Sequence, residues 1–361
     1  MKKILFHHPL PLDPNAKSAS GIRPQRMLQA FKDLGYEVEL ITGYAKERKT
    51  AIRQIKKNIR NGVKYEFVYA ESSTMPNILT EKHHLPTHPF IDCRFFQFCK
   101  KNKILIGLFY RDIYWRFEEY RKALNMVKVL VAKLAYRFDL YVYQRTVYKF
   151  YLPSLEMAKY IPTINQKKFR ALPPGHASPV TQFKPVSTKL KLFYVGGFSS
   201  HYQMHVLFNV LKQKPTVELT LCTREDEWLK MRAEYPEPSA NIKIIHKVGH
   251  EMERELLAAD IAVLFVKPQE YREFAAPVKL YEYIGFKKPI LASKKTLAGK
   301  FVDNYRIGWA INYDENALIG LLNALEKHPD RIRRKVDNLE KISTEHSWRA
   351  RAKQVIQDLT Q

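Results

Sequence analysis

The chain has 361 residues, 45% hydrophobic and 27% charged, a balance that excludes a disordered or fibrous protein and predicts two folded domains at roughly 100–200 residues each. Its 61 Lys and Arg against 36 Asp and Glu give a formal charge of +25, which calls for a polyanionic partner: nucleic acid, anionic lipid or phosphorylated small molecules. Three scattered cysteines, Cys93, Cys99 and Cys222, exclude a disulfide framework and a paired-cysteine zinc site and fit a reducing compartment.

The opening Met1-Lys-Lys-Ile-Leu-Phe-His-His lacks the apolar region of a signal peptide, so a cytoplasmic location is expected. Ile4–Phe6 reads as a strand, followed by a polar loop carrying Gly21-Ile-Arg23 and a helix from Pro24 to Lys32. Gly35–Thr42 then alternates as a second strand. The same grammar recurs at Phe67–Tyr69, Ile104–Phe109 and Phe169–Leu172, with helical segments between, as a parallel doubly wound sheet requires.

The most apolar long segment, Ala123–Ala135, is broken by Lys128 and Lys133 and falls short of the roughly 20 residues of a spanning helix. Leu124, Val127, Leu130, Val131 and Leu134 share one face of it, and Arg121, Lys122, Asn125, Lys128 and Lys133 the other. That is the pattern of an interfacial helix or of a core helix beside a solvated basic face. Lys46–Arg60 adds seven basic residues against Glu47, and together these segments predict attraction to an anionic membrane surface.

Pro173–Pro185 is rich in turn formers and reads as a connector. A second α/β series begins at Lys191 with the strand leading to Gly196 and Gly197. A helix at Leu207–Leu211, strands at Val217–Cys222 and Ile242–Ile245, a helix at Glu253–Ala259 and a strand at Ile261–Val266 follow. The predicted division is 1–180 and 188–345.

Neither GxGxxG nor GxxxxGK[ST] occurs, which removes the dinucleotide and P-loop fingerprints. Gly196 and Gly197 at a strand exit offer room for a diphosphate or merely make a tight turn. In Glu273-Phe-Ala-Ala-Pro277-Val278-Lys279-Leu-Tyr-Glu282-Tyr283, Pro277 can begin a helix whose first amides face an anion, and Lys279 adds positive charge there. Glu282 lies one turn on, where a carboxylate can hold the paired hydroxyls of a ribose; a surface Lys279–Glu282 ion pair is the alternative. Arg111 and Asp112 follow the strand Ile104–Phe109, at the strand end where α/β crevices form, and are candidates for facing a ligand or for a structural ion pair. His7, His8, His83, His84 and His88 match no metal-ligand spacing.

Pro277, Lys279, Glu282, Tyr283, Lys288 and Pro289 resemble the Pro-x-Lys-x-x-Glu-Tyr…Lys-Pro stretch of nucleotide-sugar glycosyltransferases of the GT-B fold, family 4 in particular. The Gly21 loop, Leu172–Gly175, Tyr194–Gly197, Ala259–Leu264 and Ser347-Trp348 are similar in order. The resemblance implies two Rossmann-like doubly wound domains facing across a cleft, with the acceptor on the first, the donor on the second and the C-terminal helix 346–361 crossing back to the first domain. It also implies a metal-independent transfer, in keeping with the absence of an Asp-x-Asp pair, and expected retention of anomeric configuration.

By that resemblance Gly196, Gly197, Pro277, Val278, Lys279 and Glu282 hold the donor, a UDP- or GDP-sugar, with no tightly bound cofactor. Gly21, Arg23, Arg111 and Asp112 lie on the acceptor side, and Asp112, Glu273 and Lys279 are the candidate catalytic residues. Asp112 would act as general base in an inverting enzyme and as a positioning group in a retaining one. The family often has an acidic residue eight positions before this glutamate; here Phe274 stands there, beside Glu273. It also has an Arg and a Lys after the second-domain glycine, where this chain has Phe198 and His201 or Tyr202. Arg224 is the candidate substitute, or else an ion-pair partner of Glu225 or Glu227. The acceptor expected is a lipid-linked or glycan one in bacterial cell-surface polysaccharide synthesis, reached peripherally at the inner face of the cytoplasmic membrane. A nucleotide-sugar epimerase of the same fold and a basic nucleic-acid-binding protein are the competing readings, and no nucleic acid is expected as a partner.

Overall fold

The computed structural model describes residues 2–16, 18–118, 120, 125–177, 189–199 and 202–360, in two compact units, 1–174 with 348–361 and 175–347. The expected boundaries at 180 and 188, His201, and Arg121, Lys122 and Leu124 lie outside the described residues.

The first unit runs β1 (Lys3–His8), α1 (Ala19–Asp33), β2 (Glu37–Thr42), α2 (Ala45–Arg60), β3 (Phe67–Glu71), α3 (Ile91–Lys101), β4 (Leu105–Phe109), α4 (Met126–Thr146), β5 (Lys149–Leu152) and β6 (Phe169–Ala171). Its sheet has the order β2-β1-β3-β4-β5-β6, every pairing parallel. All five residues of the central strand β3 are buried, as a parallel strand covered on both faces requires, whereas the edge strand β2 is mostly half-exposed. Helix α1 starts at Ala19, five residues before the predicted start; Pro24, read as a start signal, lies inside it. The strand β5 carries no alternation long enough to announce it.

The second unit runs β7 (Leu190–Val195), α5 (His205–Gln213), β8 (Val217–Cys222), α6 (Glu225–Met231), β9 (Ile242–Ile245), α7 (Gly249–Ala258), β10 (Ile261–Leu264), α8 (Val278–Gly285), β11 (Ile290–Ser293), α9 (Leu297–Asn304), β12 (Gly308–Ile311), α10 (Glu315–Lys327) and α11 (Asp330–Ile342). The sheet order is β12-β11-β10-β7-β8-β9, again all parallel. Helix α11 shows how the layers form: Ile332, Val336 and Leu339 are its buried residues, at spacings of four and three, and the rest is largely charged.

The last helix, α12 (Trp348–Thr360), belongs to the first unit, where Trp348, Ala352, Val355 and Leu359 join the core of Ile4, Phe6, Phe31 and Phe67. Each large apolar side chain so buried stabilises the unit by about 1.5–3 kcal/mol.

In each sheet the chain reverses its direction of travel once, between β1 and β3 and between β7 and β10. Connections leave in opposite directions at these points, opening a crevice at the carboxyl ends of the strands where α/β sheets take their ligands.

Candidate functional site

In the second unit, β7 ends at Val195 and the chain turns at Gly196, whose φ of +145° suits glycine alone. Tyr283 of α8 fixes the helix to this strand end: the Val195 amide donates to its hydroxyl at 3.0 Å. One turn earlier on α8, Lys279 reaches over the glycine, so a Cβ at Gly196 would lie 1.5 Å from Nζ. The ammonium donates to Tyr194 Oη at 3.0 Å and lies 4.6 Å and 4.4 Å from the ring centroids of Tyr194 and Tyr202. Tyr194 in turn donates to the Gly197 carbonyl at 2.6 Å.

A second cation completes the group. Arg272, buried in the short 3₁₀ turn Glu270–Glu273, places its guanidinium 3.9 Å from the Tyr202 ring centroid. Burial is the main reason that Lys279 is held down to about 8; Tyr202 opposes that shift and Arg272 adds to it. Burial would raise the Tyr202 phenol, but Lys279 and Arg272 together outweigh it and hold the phenol below its usual value. Pro277 is the residue before the first turn of α8, and no side chain caps that end. Two cations, an uncapped helix start and a glycine turn therefore meet at the β7/β10 reversal.

The remaining candidates fall around this group. Val278 opens α8, Glu282 is half-buried one turn after Lys279, and Glu273 is exposed beside Arg272. Arg224 precedes α6 and pairs with Glu227, whose Oε2 accepts from the Phe198 amide at 2.8 Å. The structure thus ties Arg224 to the glycine turn through Glu227 and brings Arg272 to Lys279. Arg272 escaped the sequence analysis because its loop has no motif; the signal was its place five residues before Pro277. Lys288, matched within the same stretch, is buried and donates to the carbonyls of Leu257 and Ala259, closing the end of α7.

In the first unit, a cavity of about 230 Å³ opens at the β1/β3 reversal, lined among others by His8, Asp13, Ser18, Gly21, Ser73 and Arg111. Gly21 lies in the first turn of α1 where the preceding loop folds onto it: a Cβ there would meet Ala16 Cβ at 2.4 Å. Glu71, fully buried at the end of β3, is shared by Arg111 at 3.0 Å and Arg23 at 3.4 Å. Two guanidiniums face this one carboxylate, and Asp112 beside Arg111 and Asp13 at the cavity wall add negative charge nearby. Arg23 lies beneath it, 3.4 Å from the Phe109 ring centroid, while Arg111 reaches the cavity wall. Burial, with Arg111 nearby, pulls His8 down to about 3, so this imidazole is neutral. Asp112 turns Oδ1 to the amides of Ile113 at 2.6 Å and Tyr114 at 3.0 Å, shaping the turn after β4.

The apolar face of α4 turns outward. Met126, Val127, Leu130, Val131 and Leu134 are between 48% and 88% exposed, while Val129, Ala132, Ala135 and Tyr136 enter the core. The core-helix alternative therefore fails for the face that carries Val127 and Leu134. Among the described residues no helix is long and apolar enough to cross a membrane.

These features define a two-unit α/β protein of the GT-B fold class. Solved structures similar to it include HepE of Anabaena, in complexes with UDP and with UDP-glucose, at 13% identity and a TM-score of 0.62 over 100% of both chains. Sucrose-phosphate synthase of Thermosynechococcus elongatus is similar at 14% identity and a TM-score of 0.64, covering 99% of this chain and 98% of that one. WaaG, a glycosyltransferase involved in lipopolysaccharide biosynthesis, is similar at 12% identity and a TM-score of 0.57 over 99% of each chain. At these identities the likeness establishes the fold. No protein-family model matches the sequence, and a search of curated proteins gives no match.

Proposed function

We propose that this chain is a glycosyltransferase that moves a sugar from a nucleotide diphosphate to an acceptor, without a metal ion and with retention. The observation that carries the reading is the Lys279–Arg272 pair over the Gly196 turn, at the uncapped start of α8. Two cations packed against one phenol ring repel each other, and an anion between them offsets that cost. A diphosphate fits: its charge meets Lys279, Arg272 and the free helix amides, the groups that would also stabilise the leaving nucleotide as the glycosidic bond breaks. Glu282 takes the ribose hydroxyls. Gly197 and Val278 border the diphosphate, and Glu273 and Arg224 lie at the edge of the site.

UDP is the nucleotide of first choice, since HepE was captured with UDP and UDP-glucose. The first unit receives the acceptor at the cavity bearing Gly21 and Arg111, where the Arg111 guanidinium at the wall offers a cation to an anionic group such as a lipid phosphate. Asp112 positions that end of the site. The exposed apolar face of α4 and the basic α2 support a working place on an anionic membrane, at the inner face of the cytoplasmic membrane, in cell-surface polysaccharide synthesis.

Calorimetry with UDP, GDP, ADP and CMP at two salt concentrations tests the donor reading. One nucleotide is expected to bind selectively and to persist in salt, and Glu282→Ala is expected to lose it. Equal, salt-sensitive binding of all four, untouched by Glu282→Ala, would mark a general polyanion binder and overturn the reading.

A further inference from the structure

Helices α3 and α4 leave an open groove of about 780 Å³ on the first unit, which shares no lining residue with the Gly21 and Arg111 cavity. Its floor is aromatic: Phe90 and Phe138 meet edge to face at 5.9 Å, with Tyr141 beside them. Phe90 and Tyr141 are about half exposed, a large apolar surface to leave in water. Among the described residues, the lining carries Arg94, Lys100, Lys101 and Arg145 and no carboxylate. Two of these cations lean on the aromatic wall, Arg145 at 3.6 Å from the Tyr141 ring centroid and Arg94 at 5.8 Å from that of Phe90. The outward face of α4 runs straight into the groove, since Met126, Leu130, Leu134, Phe138, Tyr141 and Arg145 follow one another at spacings of three and four.

The geometry points to a binding site for a single anionic phospholipid, one acyl chain on Phe90, Phe138 and Tyr141 and the phosphate against Arg94, Lys101 and Arg145. Three features select this occupant. The floor is apolar and the rim cationic, which matches an amphiphile with a negative head. The volume is that of a small-molecule site rather than a protein interface. The groove is continuous with the exposed stripe of α4, so a lipid can enter it without leaving the bilayer surface. The site deepens the membrane part of the proposal above and involves no nucleotide, so the two can fail separately.

The test is calorimetry of the full chain with dihexanoyl phosphatidylglycerol and dihexanoyl phosphatidylcholine, both below their critical micelle concentrations, with no nucleotide present. Saturable one-to-one binding of the phosphatidylglycerol is expected. Arg94→Glu with Arg145→Glu, and separately Phe138→Ser, should weaken it by about tenfold or more. Leu130→Ser with Leu134→Ser, on the stripe outside the groove, should leave monomer binding intact but weaken binding to phosphatidylglycerol vesicles. Near-ultraviolet circular dichroism and a cooperative thermal melt, both retained, would show that the groove variants remain folded. No saturable binding, equal binding of the two lipids, or indifference to the groove substitutions each overturns the site. So does a self-association seen by sedimentation that the groove variants abolish, because a second copy would then be the occupant.

Discussion

Lys279 occupies the space that a side chain at Gly196 would need, its Nζ 1.5 Å from where that Cβ would stand. The glycine thus does two things: it takes a φ of +145° and it admits the ammonium to the mouth of the site. Gly196→Ala is expected to push Lys279 aside and to strain the turn at a cost of about 1–3 kcal/mol. Nucleotide affinity should fall at least about tenfold, measured by calorimetry on protein that still melts cooperatively. Unchanged affinity would mean that Lys279 does not meet the nucleotide.

Because Lys279 is held down to about 8, half of its charge is lost at that pH in the empty site. A bound diphosphate favours the ammonium and raises that value, so binding takes up a proton and affinity declines as pH rises through about 8, by up to about tenfold per pH unit. Arg272→Gln removes a repelling neighbour. Its decline should therefore begin at higher pH, although its affinity at neutral pH is lower because one phosphate contact is gone. A pH-independent affinity between about 7 and 9 would remove the ammonium from the binding step.

On the proposed reading the motif divides into a binding half and a structural half. Lys288 spends its ammonium on the carbonyls of Leu257 and Ala259 at the end of α7. Lys288→Met should cost about 2 kcal/mol of stability, read from denaturant unfolding, while leaving nucleotide affinity as it was. Loss of affinity at full stability would reverse that division.

Asp139 of α4 is buried and accepts from the Asn77 amide at 2.8 Å. Burial is the chief cause that pushes its carboxyl up to about 7, and the Asp92 charge adds to it. The folded value lies above the unfolded one, so the carboxyl's cost is absent at low pH, grows as pH rises from about 4 and is complete above about 7. Asp139→Asn should stabilise the protein by about 1–2 kcal/mol at pH 8 and by almost nothing near pH 4. Thermal melts at both values decide it, and a destabilised variant at pH 8 would show that the charge is needed.

A neighbouring group behaves in the opposite way. Arg48 holds Asp92 in a bidentate ion pair at 3.0 and 3.1 Å, with His7 at 2.8 Å. Burial raises the Asp92 carboxyl, yet Arg48 and His7 outweigh that and hold it at about 2. Asp92→Ala leaves the Arg48 guanidinium buried without its carboxylate and should cost about 3–5 kcal/mol, seen as a large drop in Tm. A loss below about 1 kcal/mol would mean that water reaches Arg48.

The sequence by itself determined the two α/β series, the strands at the heart of both sheets and the Pro277–Pro289 stretch. Short apolar runs with glycine and proline punctuation are local features, and a parallel strand buried on both faces cannot be written otherwise. It also carried Lys279 and Gly196 as candidates, since Pro277 at a helix start and paired glycines at a strand exit are local signals. What it did not carry was which long side chains meet. Arg272 joins Lys279 across Tyr202 and Lys288 turns away to close α7, choices that nothing local announces, and of the two partners the sequence offered Arg224, Glu225 and Glu227, the fold pairs it with Glu227. Likewise the α4 pattern fitted a core face or an outer face equally well, because periodicity tells that a helix is two-sided and not which side is covered. Only the packing of the first unit decided that Val129 and Tyr136 go inward and Leu130 and Leu134 stay out, since that choice depends on which neighbours remain to bury them.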